Sequence, residues 1–171
     1  MFRTGEAIVH PVRGAGVIVQ IEERHWRGKA SLYYRIKLLN QPASSLMIPV
    51  QRAESLGLRR AIPSSQLNRI WQILRTDPKS LPSDHKERYQ ILETKLHCGN
   101  VLQVAEAVKD MAWRQQQEGK LTTRGKRIYE EGLTLLSGEV AAAQGIELSD
   151  AEALIKMKLN EAIQTATAAT A

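Results

Sequence analysis

The apolar residues of this 171-residue chain change their period once, at the boundary between Ile62 and Pro63. Before it they come in short runs broken by turn residues, and after it they recur every three or four positions. Period 2 is the signature of strands and period 3.6 of helices. The chain is therefore expected to fold as an all-β segment followed by an all-α segment, an α+β class, rather than as alternating units around a parallel sheet.

In the first segment Ala7-Ile8-Val9 reads as a strand stopped by Pro11. Gly14-Ala15-Gly16 leads into the β-branched run Val17–Glu22, Arg27-Gly28-Lys29 turns, and Leu32–Leu38 and Ser45–Pro49 follow as strands. Leu56–Arg59 is placed to close the set. Strands this short and this close together predict a small antiparallel β-barrel over residues 1–62. In the second segment, residues 63–171, five helices are expected. The first carries Leu67, Ile70, Trp71 and Leu74 on one face behind Ser64 or Ser65, and Asp77-Pro78 ends it. The second opens at Ser83 or Asp84 and stops at Cys98-Gly99. Asn100 and Thr122/Thr123 open the third and fourth, and Gly119 and Gly145 close them. Ser149-x-x-Glu152 reads as a capping box for the fifth, and the residues from Thr165 to Ala171, lacking any large side chain, are expected to fray.

Charge is unevenly spread. Residues 1–62 hold ten Lys/Arg against four Asp/Glu, residues 63–130 twelve against eight, and residues 131–171 two against six. The first two-thirds are basic and the end is acidic, which favours an anionic partner without choosing among nucleic acid, acidic protein and membrane face. A single cysteine, Cys98, excludes an internal disulfide and a four-cysteine zinc site. No apolar run approaches the ~20 residues of a membrane span, and the first residues lack the apolar core of a signal peptide, so a cytoplasmic location is expected.

No catalytic constellation is present. Gly14-Ala15-Gly16 lacks the third glycine and the helix of a dinucleotide fingerprint, and no Walker loop or nucleophile elbow occurs. His10, His25, His85 and His97 fall on three or more separate elements. The carboxylates of the third helix alternate with Lys109 and Arg114, as on a solvated face. The reading is a non-enzyme with no cofactor and no metal. The cations are more informative. His85-Lys86-x-Arg88 begins the second helix, and Arg124-Gly125-Lys126 begins the fourth. Helix N-termini with clustered cations suit phosphate contacts, although ordinary exposed charge gives the same pattern. Gly125 costs a helix about 1 kcal/mol relative to Ala, which points either to close approach of a ligand or to helix packing. Trp26 sits among Arg24, Arg27 and Lys29, where it is either a contact anchor or a cap on the barrel.

The string Phe2-x-x-Gly5-Glu6-Ala7-Ile8-Val9-His10-Pro11-x-x-Gly14-x-Gly16-Val17-Ile18 resembles the start of the CarD family of bacterial transcription regulators. The likeness continues through Tyr33-Tyr34, Ile48-Pro49-Val50, Gly57-Leu58-Arg59, Arg88-Tyr89, Gly99-Asn100, Trp113-Arg114, Lys126-Arg127 and Leu135-Leu136, spanning residues 2–145. Transcription-repair coupling factors share the first half of the pattern. The resemblance implies a Tudor-like barrel that docks on the β-subunit lobe of RNA polymerase. It implies a helical domain that touches promoter DNA at the upstream edge of the transcription bubble, in the minor groove and on phosphate, without reading sequence, and so stabilises the open complex. It places Arg24, Met47, Ile48 and Pro49 against polymerase, and His85, Lys86, Arg88, Arg124 and Lys126 against DNA. Two positions depart from the family. His85 stands where the family has a wedging tryptophan, and Met47 where it has an arginine. The alternative is a polymerase-docked adaptor whose helical domain recruits a protein. The two differ in whether the cations at 86–88 and 124–127 form one exposed face beside His85.

Overall fold

The structure, a computed structural model, describes all of residues 1–171. Five strands, β1 (Ala7–His10), β2 (Gly14–Trp26), β3 (Lys29–Leu38), β4 (Ser45–Pro49) and β5 (Arg59–Arg60), precede five helices, α1 (Leu67–Arg75), α2 (His85–His97), α3 (Val101–Glu118), α4 (Thr123–Gln144) and α5 (Leu148–Ala169). The strands pair antiparallel in the order β4-β3-β2-β1-β5. Strands β4 and β5 each have one partner, so the Tudor-like barrel is open and β4 presents a free edge.

Side-chain alternation sends Ile8, Ile18, Tyr34, Ile36 and Ile48 to one face, where Ala53 and Leu58 close a small core. Gly16 admits no side chain, because a Cβ there would lie 2.7 Å from the Lys37 carbonyl oxygen. The helices bury a second, larger core running from Leu67 to Ile163, in which Ile70, Leu74, Leu92, Leu136, Val140 and Ile155 are fully inaccessible. Truncating any of these to Ala costs about 2–5 kcal/mol.

Most helix signals operate as the sequence predicts. Asp84 accepts the Glu87 amide at 3.0 Å, Asn100 accepts that of Leu102 at 2.9 Å, and Thr122 accepts that of Gly125 at 3.1 Å. Gly145 ends α4 in the left-handed region at φ 67°. Three signals operate differently. Pro63 and Ser64–Gln66 form a 3-10 turn, so α1 starts at Leu67 without a serine cap. Helix α5 starts at Leu148, one residue ahead of the Ser149 box, and its N-cap Glu147 makes no capping bond. The C-terminal segment does not fray at Thr165: α5 runs to Ala169, with the Thr165 and Thr167 hydroxyls bonded to the carbonyls of Glu161 and Ile163.

The acidic-basic face of α3 is also not solvated throughout. Lys109 and Asp110 are buried because the segment after α1 lies across them. Lys109 donates to the Thr76 hydroxyl and the Asp77 carbonyl, each at 3.0 Å, and Asp110 accepts the Lys79 amide at 3.1 Å. Burial pushes the Asp110 carboxyl above its usual range, against the pull of the Lys79 amide and the Lys109 ammonium. No helix is long and apolar enough to cross a membrane.

Candidate functional site

Two surfaces gather the residues singled out by the sequence. The first is the solvent side of β2, β3 and β4. The register places Met47 opposite Arg35, Pro49 opposite Tyr33, and Glu22 also opposite Tyr33. All lie on the face opposite the buried Tyr34, Ile36 and Ile48. Arg24 shares this face, two residues beyond Glu22. Its Nε donates to Glu22 at 2.7 Å, and the second Glu22 oxygen takes Arg35 Nη2 at 2.7 Å. Hydrogen bonds from Arg24 and then Arg35 hold the Glu22 carboxyl below its usual range. Three of the four expected polymerase-facing residues, Arg24, Met47 and Pro49, are thus brought together. Ile48 is not: period-2 alternation turns it inward, where it is 3% exposed and belongs to the barrel core.

The β2–β3 hairpin projects past the sheet to a two-residue turn with positive φ at both positions, Arg27 at 49° and Gly28 at 76°. Trp26, next to that turn, is 74% exposed. It is no barrel cap. By alternation it falls on the same face as Arg24 and Glu22.

The second surface is a corner where α2 and α4 begin side by side. Tyr89 of α2 hydrogen-bonds the Thr122 hydroxyl, which caps α4, and this joins the two N-termini. Gly125 leaves room for that joint: a Cβ there would meet the Thr122 hydroxyl at 3.2 Å and the Tyr89 hydroxyl at 3.4 Å. Helix packing therefore accounts for this glycine. The Arg124 guanidinium lies 5.1 Å from the centre of the Tyr89 ring and pairs with Glu93 at 3.2 Å. His85 and Lys86 are exposed at the start of α2, and the His85 ring lies 6.4 Å from that of Tyr89 at 26°. His85 and Arg124 thus flank one aromatic ring, with Lys86 next to His85 in the first turn of α2.

Arg88, expected on phosphate, is buried instead. It is 2% exposed and turned inward, with Nη1 donating to the carbonyls of Pro82 and Ser83 at 3.0 and 3.1 Å and Nη2 to His85 Nδ1 at 2.8 Å. Lys126 is exposed, but two residues on from Arg124 it falls on another flank of α4. There it lines a groove of about 400 Å³ with Gln115, Tyr129, Glu152 and Lys156. The exposed cations at 86 and 124 share the corner with His85, whereas Arg88 reaches His85 and the Tyr89 ring from inside and Lys126 lies on another flank.

A buried polar joint sets where the two surfaces stand. Arg59 of β5 forks onto Glu139 of α4 with bonds of 2.6 and 2.8 Å, and its Nε donates to the Gly99 carbonyl at 2.6 Å. Glu139 Oε1, which takes Arg59 Nη1, also accepts the Ile62 amide at 2.9 Å. Beside this, α4 packs on β2 so closely that a Cβ on Gly138 would lie 3.3 Å from that of Ala15. Sequence reasoning did not find this joint. Its one signal is a carboxylate, Glu139, set inside the apolar stripe of Leu135, Leu136 and Val140.

Residues 2–62 match the CarD-like/TRCF RID domain, and residues 69–156 match "CarD, C-terminal domain". The chain is also 29% identical over 146 residues to "Putative transcription factor YdeB" of Bacillus subtilis (strain 168), a match covering 85% of this chain and 94% of that protein.

Proposed function

The chain belongs to the CarD family of transcription regulators, and on that premise we propose that it bridges RNA polymerase and promoter DNA. The sheet face of β2–β4 docks on the β-subunit lobe, with Arg24 and Arg35 as charge partners, Trp26 as apolar anchor and the β4 edge free for strand addition. The α2/α4 corner meets DNA at the upstream edge of the bubble through Lys86, Arg124 and the His85 ring, with Lys126 a separate contact on the neighbouring flank. Polymerase sets the position, so no sequence of its own is read, and the open complex is stabilised. The reading assigns the polymerase-binding role to residues 1–62 and the DNA-contacting role to residues 63–171, and places the protein in the cytoplasm on its polymerase.

One observation carries the DNA reading over the adaptor reading. The Tyr89–Thr122 bond holds two helix N-termini and their cations at a single exposed corner, the arrangement that phosphate contact requires. A corner built to recruit a protein would offer an apolar centre instead. Footprinting of the upstream bubble edge, on polymerase with and without the full chain, tests it. Added protection and a longer open-complex lifetime are expected. Polymerase binding with an unchanged footprint would replace this reading by the adaptor.

A further inference from the structure

We propose that Arg88 is a positioning residue: from inside the protein it fixes the His85 ring in the tautomer protonated on Nε2, so that the corner offers its partner one outward hydrogen-bond donor. The inference rests on the reading that this corner meets the minor groove of DNA.

The chemistry of the pair leaves one assignment. A guanidinium has five N–H donors and no acceptor. Arg88 Nη2 lies 2.8 Å from His85 Nδ1, so Nδ1 accepts with its lone pair. A neutral imidazole accepting at Nδ1 carries its proton on Nε2. Arg88 cannot swing away, since Nη1 is held by the Pro82 and Ser83 carbonyls and the residue is buried. The ring is further fixed by its stack on Tyr89, which Thr122 holds in turn. His85 is exposed and no protein group bonds its Nε2, so that N–H is free to donate outward.

A donor selects for acceptors. In the minor groove an A·T pair shows only acceptors, adenine N3 and thymine O2, whereas a G·C pair adds the guanine amino donor. The fixed Nε2–H fits the first edge and opposes the second. The corner should therefore favour a groove free of the guanine amino group, a bias of edge chemistry that reads no particular sequence.

The test has two arms on the full-length protein. Nitrogen-detected NMR of the His85 ring at pH 8, without DNA, is expected to show Nε2 protonated and Nδ1 bare. In Arg88→Met the two tautomers should mix, and Arg88→Lys, which keeps a donor, should restore part of the bias. A predominantly Nδ1-protonated ring in the wild type overturns the proposal. The second arm measures affinity at low salt for duplexes of A·T, inosine·C and G·C pairs. Inosine·C has the major groove of G·C without the minor-groove amino group. A·T and inosine·C should bind about fivefold tighter than G·C, the value of one net hydrogen bond. In His85→Phe, which keeps a ring and loses the donor, that ratio should fall by the same factor. The variant keeps the cations drawn to a narrow A·T groove, so that attraction cancels in the comparison. An unchanged ratio in His85→Phe overturns the acceptor preference while leaving the DNA reading intact. Failure to bind any duplex overturns the DNA reading and the acceptor preference together. Should Arg88→Met unfold, the wild-type ring resonances and the His85→Phe ratio still decide.

Discussion

The sheet face and the helix corner both present a few polar side chains to a partner, and they are built in opposite ways. On β2–β4 the polar contact residues bond only to one another across the exposed face, Arg24 and Arg35 sharing Glu22, and none is held by a buried polar group. At the corner two exposed groups lean on what lies beneath them, His85 on Arg88 and Arg124 on the ring of the buried Tyr89, which Thr122 holds in turn. The difference bears on the two positions at which the sequence is expected to depart from the family. Met47 is uncharged where the family likeness leads one to expect an arginine, and Arg35 sits directly opposite it on the same face, so a guanidinium still stands at that place on the sheet. At the corner, where the family likeness leads one to expect a tryptophan, His85 accepts from Arg88, which an indole N–H, only a donor, could not do. A surface residue of the sheet is tied only to its neighbours on the same face. A residue of the corner is tied to what lies beneath it.

The sharpest way to break this comparison is at the joint both regions share. Glu139→Ala strands Arg59 and the Ile62 amide without a carboxylate, and unfolding free energy should fall by about 3 kcal/mol, read by urea denaturation. On the sheet, Trp26→Ala should cost about 2 kcal/mol of polymerase affinity in a binding titration and leave the melting temperature unchanged. A drop in melting temperature would show that the sheet residues are not independent. Arg24→Glu should weaken the same titration by about tenfold or less, because Arg24 is exposed and already shares Glu22. Lys86 and Arg124 at the corner and Lys126 on its flank are the cations placed on DNA, so log affinity for DNA should fall with log salt at a slope of about −3, and Lys86→Ala should reduce it by about 1.

The smallest effect probes the polar framework behind the corner. Burial pushes the Glu106 carboxyl up, but ammonium hydrogen bonds from Lys95 and Lys79, each 3.1 Å, outweigh it and hold the group below its usual range. A carboxyl lowered on folding stabilises above its unfolded value and loses that contribution as pH falls through the folded one. Glu106→Gln should therefore cost about 1 kcal/mol at pH 7 and nothing at strongly acid pH, by denaturation at both.

The same contrast governs what could be read from the amino-acid order. Strand and helix placement was legible because it depends on local alternation and on caps such as Asp84, Asn100 and Thr122. The sheet face was nearly legible for the same reason, and alternation from Tyr34 through Ile36 would have turned Ile48 inward as well. The corner was legible in its location and not in its chemistry. That Arg88 points in, and that Lys109 and Asp110 lie under the Thr76–Lys79 segment, depends on how helices far apart in sequence pack. A basic residue at a helix start looks the same in a sequence whether it faces solvent or braces a loop. Glu139 was the hardest, because its partners lie 80 and 77 positions away.

The joint of Arg59, Glu139, Gly138 and Ala15 leaves the sheet and the corner no slack between them. Two ligands held by a spacer act as a chelate: once one is seated, the other samples its target at an effective concentration set by the spacer, about millimolar even for a short flexible one. A rigid spacer concentrates that sampling on one location and removes it everywhere else. An α2/α4 corner that holds free DNA only weakly can therefore stay occupied on a docked polymerase, and only where the upstream duplex passes at the distance the joint dictates.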